Sequence, residues 1–175
     1  LKTPVLFSGS IINNMTILGI DPALRKNGLA VAIADNETMT IRSYRFRSFL
    51  DFHKWTLGHD VVCVGNVLLP DFTAKFAMVE DSNLDNATFK GRASRRQKYG
   101  AISRDAGKNM AVSSLIIEAL QNAGVEVCAL APSQKTIVGM SVLKGAFKEL
   151  GYEFSGTKNQ DEEQALNFLL KQLWK

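Results

Sequence analysis

Cysteine and histidine are scarce in this sequence, with two of each: Cys63 and Cys128, His53 and His59. The cysteines form no CxxC pair and sit among apolar residues, which excludes a disulfide-stapled scaffold and a thiolate zinc site. They read as reduced core thiols, because free cysteine is among the most buried residue types, and a reducing, cytoplasmic compartment fits that usage. His53 and His59 fall on an expected helix without metal-ligand spacing, and read as structural. No apolar run approaches the ~18 residues that a membrane-spanning helix needs, so no membrane partner is expected. A strong charge bias is also missing. Lys and Arg number 21 against 17 Asp and Glu, a net charge of +4. So small an excess says little about a nucleic-acid partner until its distribution is known. Repeats, linkers and low-complexity runs are absent.

What is present is the composition of one folded domain: 46% apolar and 22% charged over 175 residues, enough chain to bury a core without staples. Residues 1–14, LKTPVLFSGSIINN, differ from the rest. They hold a single Lys and no adequate apolar h-region, so they are not a secretory signal. Met15 opens a clean strand. Residues 1–14 are therefore expected to be an extension or tag-like leader, and 15–175 the domain.

Thr16 to Ile20 reads as a buried strand that ends at Asp21-Pro22, where proline marks a turn. Gly28 to Ala34 is a second apolar strand, and Met39 to Phe46 a third after the turn Asp35-Asn36-Glu37-Thr38. In 47–70, Phe49, Phe52, Trp55 and Leu57 indicate a helix, whereas Val61 to Val64 fits strand or buried helix equally. Ala74 to Val79 is a fourth strand running into Glu80. A loop is expected over 86–100 and a long helix from Ala101 to Asn122, with Val112, Leu115, Ile116, Ala119 and Leu120 as its apolar stripe. Val125 to Ala129 is a fifth strand. One or two short helices follow within Ser133 to Leu150, and a last helix spans Gln160 to Lys175. The order β-β-β-α-β-α-β-α-α fits an α/β fold, a mixed five-stranded sheet flanked by helices.

Three acids fall at the ends of apolar strands or at a helix start: Asp21, Glu80 and Asp161. Each has a plainer explanation, as a turn former, a solvated strand end and a complement to the helix dipole. Together they suit a hard divalent cation, which relieves the mutual repulsion of neighbouring carboxylates; oxygen ligands favour Mg²⁺ or Mn²⁺. The stretch Gly19-Ile20-Asp21-Pro22-Ala23-Leu24-Arg25-Lys26-Asn27-Gly28 resembles the opening GIDPG-x-R-x-x-G signature of RuvC-type Holliday junction resolvases. Val79-Glu80 resembles the second acidic strand end of that family. Ala131-Pro132-Ser133-Gln134-Lys135 with Val138-Gly139 resembles the stretch after its last strand, and Gln160 to Leu166 its closing helix motif. The four motifs in this order cover nearly everything from Met15 onward. The short length and loose fit are similar to bacteriophage members, the lactococcal phage group among them.

The resemblance implies an RNase H-like fold and a structure-selective endonuclease that hydrolyses phosphodiesters in branched DNA, Holliday junctions and forks. It implies two Mg²⁺ ions per site, replaceable by Mn²⁺, with Asp21 shared between them, Glu80 on one, and Asp161 with Gln164 on the other. Nicks on both sides of a near-symmetric junction imply a C₂ homodimer, with the long helix as a candidate interface through Val112, Leu115 and Ile116; burial of the same residues in the core competes as an explanation. Two departures stand out. Ala23 replaces a usual glycine, and Gln164 replaces a usual Asp, leaving a neutral, weaker ligand one helical step from Asp161. Glu162 and Glu163 lie off that face. The aromatic wedge expected soon after the second acid is missing, since Asn83-Leu84 occupy the region and Phe89 comes later.

The positive charge is clustered. Lys90, Arg92, Arg95, Arg96, Lys98, Arg104 and Lys108 fall between Asn86 and Lys108, with Asp105 the only acid. Phe89 and Tyr99 are interleaved and offer stacking surfaces. The plain alternative is a solvated loop; beside a carboxylate pocket, the cluster reads instead as a DNA-binding surface making salt-sensitive phosphate contacts. Lys108, one helical turn after Arg104, is the leading candidate for a phosphate contact near the metals. Two other classes compete. Actin-like ATPases share the first motif but need a second lobe, for which this chain is too short. A branched-DNA-binding protein with a weakened metal site would account for Gln164.

Overall fold

A computed structural model describes residues 15–25, 28–84, 96–134 and 137–174. The leader 1–14 lies outside them, as do Lys90, Arg92, Arg95 and Phe89. The elements run β1 (Thr16–Arg25), β2 (Gly28–Asp35), β3 (Thr40–Phe46), α1 (Phe49–Thr56), β4 (Ala74–Glu80), α2 (Arg96–Asn122), β5 (Glu126–Leu130), α3 (Met140–Glu149) and α4 (Gln160–Leu173). The strands form one sheet in the order β3-β2-β1-β4-β5. β1, β2 and β3 are an antiparallel meander, while β4 and β5 lie parallel to β1 and to each other. This is the mixed five-stranded sheet flanked by helices that the sequence led one to expect.

Alternation along the strands divides the core into two layers. On β2, Leu29, Val31 and Ile33 face one side, joined there by Leu18 and Ile20 of β1 and Ala77 and Val79 of β4. Phe52 and Trp55 of α1 and Val112, Ile116, Ala119 and Leu120 of α2 cover this side. The opposite face of β2 carries only Ala30, Ala32 and Ala34, against Leu143 and Phe147 of α3 and Ala165, Leu166 and Leu169 of α4. Large side chains separate α1 and α2 from the sheet, whereas only small ones stand between β2 and α4. At Gly19 the approach is so tight that a Cβ atom would lie 2.2 Å from the Ala165 carbonyl oxygen and 2.4 Å from the Leu169 nitrogen.

Several expected boundaries shift. β1 continues past Asp21-Pro22 to Arg25, with a register irregularity between Asp21 and Arg25 that accommodates a residue lacking an N–H. α2 begins at Arg96, not Ala101, because Arg96, Gln97 and Lys98 favour helix and one interior glycine, Gly100, costs only about 1 kcal/mol. α1 ends at Thr56, and Gly58 reverses the chain at φ +82°. That leaves Leu57 exposed and His59 beyond the helix on which it was expected. Residues 57–69 are neither strand nor helix but a looped excursion, closed by a single Val62–Leu68 bridge and pinned by buried Val61, Cys63 and Leu69.

Candidate active site

Register brings the first two acids side by side. The last β1–β4 pair is Ile20 with Val79, so Asp21 and Glu80 are the next residues on adjacent parallel strands. Strands in a sheet lie about 4.8 Å apart. Asp21 pairs with Ala30, which pairs with Arg45, and Glu80 pairs with Leu130. One row across the sheet therefore reads Arg45, Ala30, Asp21, Glu80, Leu130. Ile20 and Val79 point toward α2, so strand alternation turns both acids toward α4. They are nearly sealed from solvent, Asp21 at 3% exposure and Glu80 at 9%.

The third acid comes from the helix on that face. Asn159 caps α4, its side-chain oxygen accepting from the backbone N–H of Asp161 (3.0 Å) and of Glu162 (3.1 Å). Asp161 lies one turn before Ala165, the residue in contact with Gly19, and is 4% exposed. Helix and strand spacing thus place Asp161 on the face shared by Asp21 and Glu80. Gln164 follows three residues later and is half-buried. Glu162 turns the other way. Its Oε1 pairs with Arg45 Nε at 3.0 Å, and its Oε2 accepts from Ser43 Oγ (2.5 Å) and Thr157 Oγ1 (2.8 Å).

Backbone geometry puts Asp21, Glu80 and Asp161 on one face of the sheet, but among the described residues no three acidic, histidine or cysteine side chains form a group that could hold a metal ion. Asp21, Glu80 and Gln164 each interact with a neighbouring group. The donor set is all oxygen, from carboxylates and one amide, and it fits Mg²⁺ or Mn²⁺ better than zinc or copper.

The rim beyond this row is tied down by side-chain amides. Asp81 Oδ1 accepts from the Asn83 backbone N–H at 2.9 Å and from Asn83 Nδ2 at 2.7 Å. Asn83 Nδ2 also donates to the Met110 carbonyl and to Ser114 Oγ, both at 3.1 Å. This links the end of β4 to the middle of α2. From there α2 runs to the opposite sheet edge, where β5 starts beside Phe76. Its first part, Arg96 to Asn109, therefore reaches past the acidic edge, by roughly 20 Å at 1.5 Å per residue. Arg96, Lys98 and Arg104 belong to that overhang, and Lys108 on it is exposed. Lys90, Arg92 and Arg95 lie outside the described residues. Of the two readings of the α2 stripe, core burial holds for Val112 and Ile116, which corrects their place in a dimer face; of the three only Leu115 is exposed, at 44%.

Asn167 was not singled out by sequence. It is buried on α4 and clasps the segment after β5, donating to the Val138 carbonyl (3.1 Å) and accepting from the Val138 N–H (2.8 Å). Asn167→Ala leaves both Val138 groups without these partners and is expected to lower unfolding free energy by about 2 kcal/mol, measured by urea denaturation. Gly19, Ser43, Arg45 and Glu162 were also missed as contributors to site geometry. A glycine inside an apolar strand was the available signal for Gly19; the others act through register that local sequence does not display. Cys63 is buried, as expected, and burial first, then the Asp51 charge, pushes its thiol up to about 12, so it is an inert core residue. Cys128 is half-buried rather than fully enclosed, and both cysteines are free. His53 stacks on Phe49, ring centroids 5.9 Å apart, in a structural role.

No protein-family profile and no curated protein matches this sequence. Among solved structures, the chain is similar to Thermus thermophilus RuvC in complex with a Holliday junction substrate, with 16% identity over 90% of this chain and 91% of that one, and a TM-score of 0.48. A second structure of Thermus thermophilus RuvC shares 12% identity over 89% and 92% of the two chains, with a TM-score of 0.39. Among the described residues, no helix is long and apolar enough to cross a membrane.

Proposed function

We propose that this protein is a divalent-metal-dependent endonuclease that cuts branched DNA, four-way junctions and forks included. The observation that carries the reading is that three buried acids, Asp21, Glu80 and Asp161, fall on the α4 face of the sheet, just past the last paired row of the inner strands β1 and β4. Burying three carboxylates together is unfavourable unless something compensates their charge. Asp21, Glu80 and Asp161 would hold Mg²⁺ or Mn²⁺, with the Gln164 amide oxygen as a neutral fourth donor. When bound, the ions supply Lewis-acid stabilisation of the charge that develops on a phosphodiester during hydrolysis. The chain's own contribution is to fix two of these oxygen donors on a strand pair and the others on α4, to bury the carboxylates from water, and to offer the α2 overhang as a cationic rail for the DNA backbone. A C₂ homodimer suits a junction with near two-fold symmetry.

The test is a nicking assay on synthetic four-way junctions, forks and linear duplex with Mg²⁺ or Mn²⁺. Metal-dependent nicks confined to branched substrates are the expected result. Binding without any cleavage defeats the enzymatic reading. Gln164 favours a second one, a branched-DNA-binding protein with a weakened metal site, for which cleavage should appear in Gln164→Asp. A companion prediction concerns the basic stretch. Arg95→Ala/Arg96→Ala is expected to weaken junction binding and to reduce the slope of log K against log salt by about 2, one unit per lost phosphate contact. An unchanged slope would show that these arginines do not touch phosphate.

A further inference from the structure

Glu162 neighbours Asp161 in sequence but belongs to a different set of contacts. Both of its oxygens are occupied, one by Arg45 and the other by Ser43 and Thr157. It is therefore unable to serve as a ligand on the Asp21 face without breaking three interactions. Its partners lie on β3 and on the segment leading into α4. They also lie in known rows of the sheet: Arg45 pairs through Ala30 with Asp21, and Ser43 through Ala32 with Gly19. The carboxylate of Glu162 thus ties the first turn of α4 to the row that carries Asp21, two strands and roughly 10 Å away.

The helix start meets different surroundings on its two sides. Toward β1 it is seated on Gly19. Toward β3 there is a cleft of about 330 Å³, lined by Ser43, Arg45, Val64, Phe154, Gly156 and Glu162 among others. Close-packed apolar side chains do not fill that space, so toward β3 the first turn of α4 is held by the polar ties of Glu162. A shift there moves Asp161 directly, because the two residues share one helical turn.

We propose that Glu162 is a positioning residue: braced by Arg45, Ser43 and Thr157, it sets the placement of Asp161 against Asp21 and thereby tunes the affinity of the site for a divalent cation. The inference rests on the metal-centre reading above and adds to it a control point on the edge strand β3. Groups that orient metal ligands characteristically change affinity 10- to 100-fold when removed.

Mn²⁺ titration of the full chain without DNA, with the free ion followed by electron paramagnetic resonance, tests it. The wild-type chain is expected to bind Mn²⁺ and Asp21→Asn to lose that binding. Glu162→Gln and Arg45→Met are each expected to weaken it about tenfold. Either single change leaves a partly buried charge unpaired, so a general loss of stability must be separated from mispositioning. The double variant Arg45→Met/Glu162→Met removes both charges and is expected to melt near wild type. Its Mn²⁺ affinity should stay about tenfold weak despite the recovered stability. Wild-type affinity in both single variants overturns the proposal, and so does recovery of affinity along with melting temperature in the double variant. In both cases Mn²⁺ binding that depends on Asp21 leaves the metal-centre reading standing. No Mn²⁺ binding by the wild-type chain overturns that reading and this inference with it.

Discussion

Gly19→Ala is expected to lower unfolding free energy by about 3 kcal/mol and to reduce metal-dependent activity in the fraction that still folds. The added Cβ would lie 2.2 Å from the Ala165 carbonyl oxygen, 2.4 Å from the Leu169 nitrogen and 2.8 Å from the Leu169 Cα. Contact between such atoms is comfortable only beyond about 3.4 Å, so α4 has to retreat by more than an ångström. Insertion of one methyl into a packed core usually costs 1–3 kcal/mol when side chains can turn aside. Here every close neighbour is backbone, no rotamer change relieves the clash, and the upper end of that range applies. Truncating Ala165 or Leu169 should not rescue the variant, because neither side chain makes the clash. Gly145→Ala is the matched control. A Cβ there meets nothing within 4 Å, and the position lies inside α3. That change is expected to raise stability by up to about 0.8 kcal/mol through helix propensity alone. Urea denaturation of the two variants separates a steric seat for α4 from any general dislike of side chains at glycine positions. A Gly19→Ala protein as stable as wild type would mean that α4 does not sit where these contacts put it.

The same glycine shows how much of the molecule was legible in advance. Gly19 stood in the opening motif, yet its role depends on a helix about 150 residues later in the chain. The sheet itself was readable, because alternation and turn residues act locally. The strand Gly28–Asp35 even displays its two faces, one of Leu, Val and Ile and the other of alanines, although which face would receive α4 is a long-range matter. Register is not local either. That Asp21, Ala30 and Arg45 fall in one row follows from two hairpin pairings, and a slip of one residue would turn every side chain to the opposite face. Arg45 and Ser43 therefore looked like ordinary polar positions of an edge strand. Pro22 misled in the other direction: it forbids a ladder hydrogen bond from its own nitrogen but does not end a strand that carries an irregularity there. Leu115 fits the apolar stripe of α2 by spacing and still faces outward, since a stripe is wider than the part of it the sheet can cover.

Asp21→Asn is the second large effect, and it acts on chemistry rather than on the fold. The substitution keeps shape and volume and removes one negative charge from a site shared with Glu80 on the adjacent strand. Stability should change by no more than about 1 kcal/mol, because the lost charge relieves repulsion with Glu80 while weakening the contact that Asp21 makes with its neighbouring group. Cation affinity should fall, since an amide oxygen carries no net charge to attract Mg²⁺ or Mn²⁺. Lewis-acid stabilisation is worth several kcal/mol at a phosphodiester; losing about 4 kcal/mol of it corresponds to roughly a thousandfold slower nicking. Junction binding is expected to be preserved or strengthened, as one fewer negative charge faces the DNA backbone. Three measurements on one variant therefore move apart: melting temperature close to wild type, binding intact, nicking down about a thousandfold. A merely structural aspartate would lower the first and leave the third proportional to folded protein. Nicking within tenfold of wild type would remove Asp21 from the reaction, and with it the reason for reading this buried row of acids as a catalytic centre.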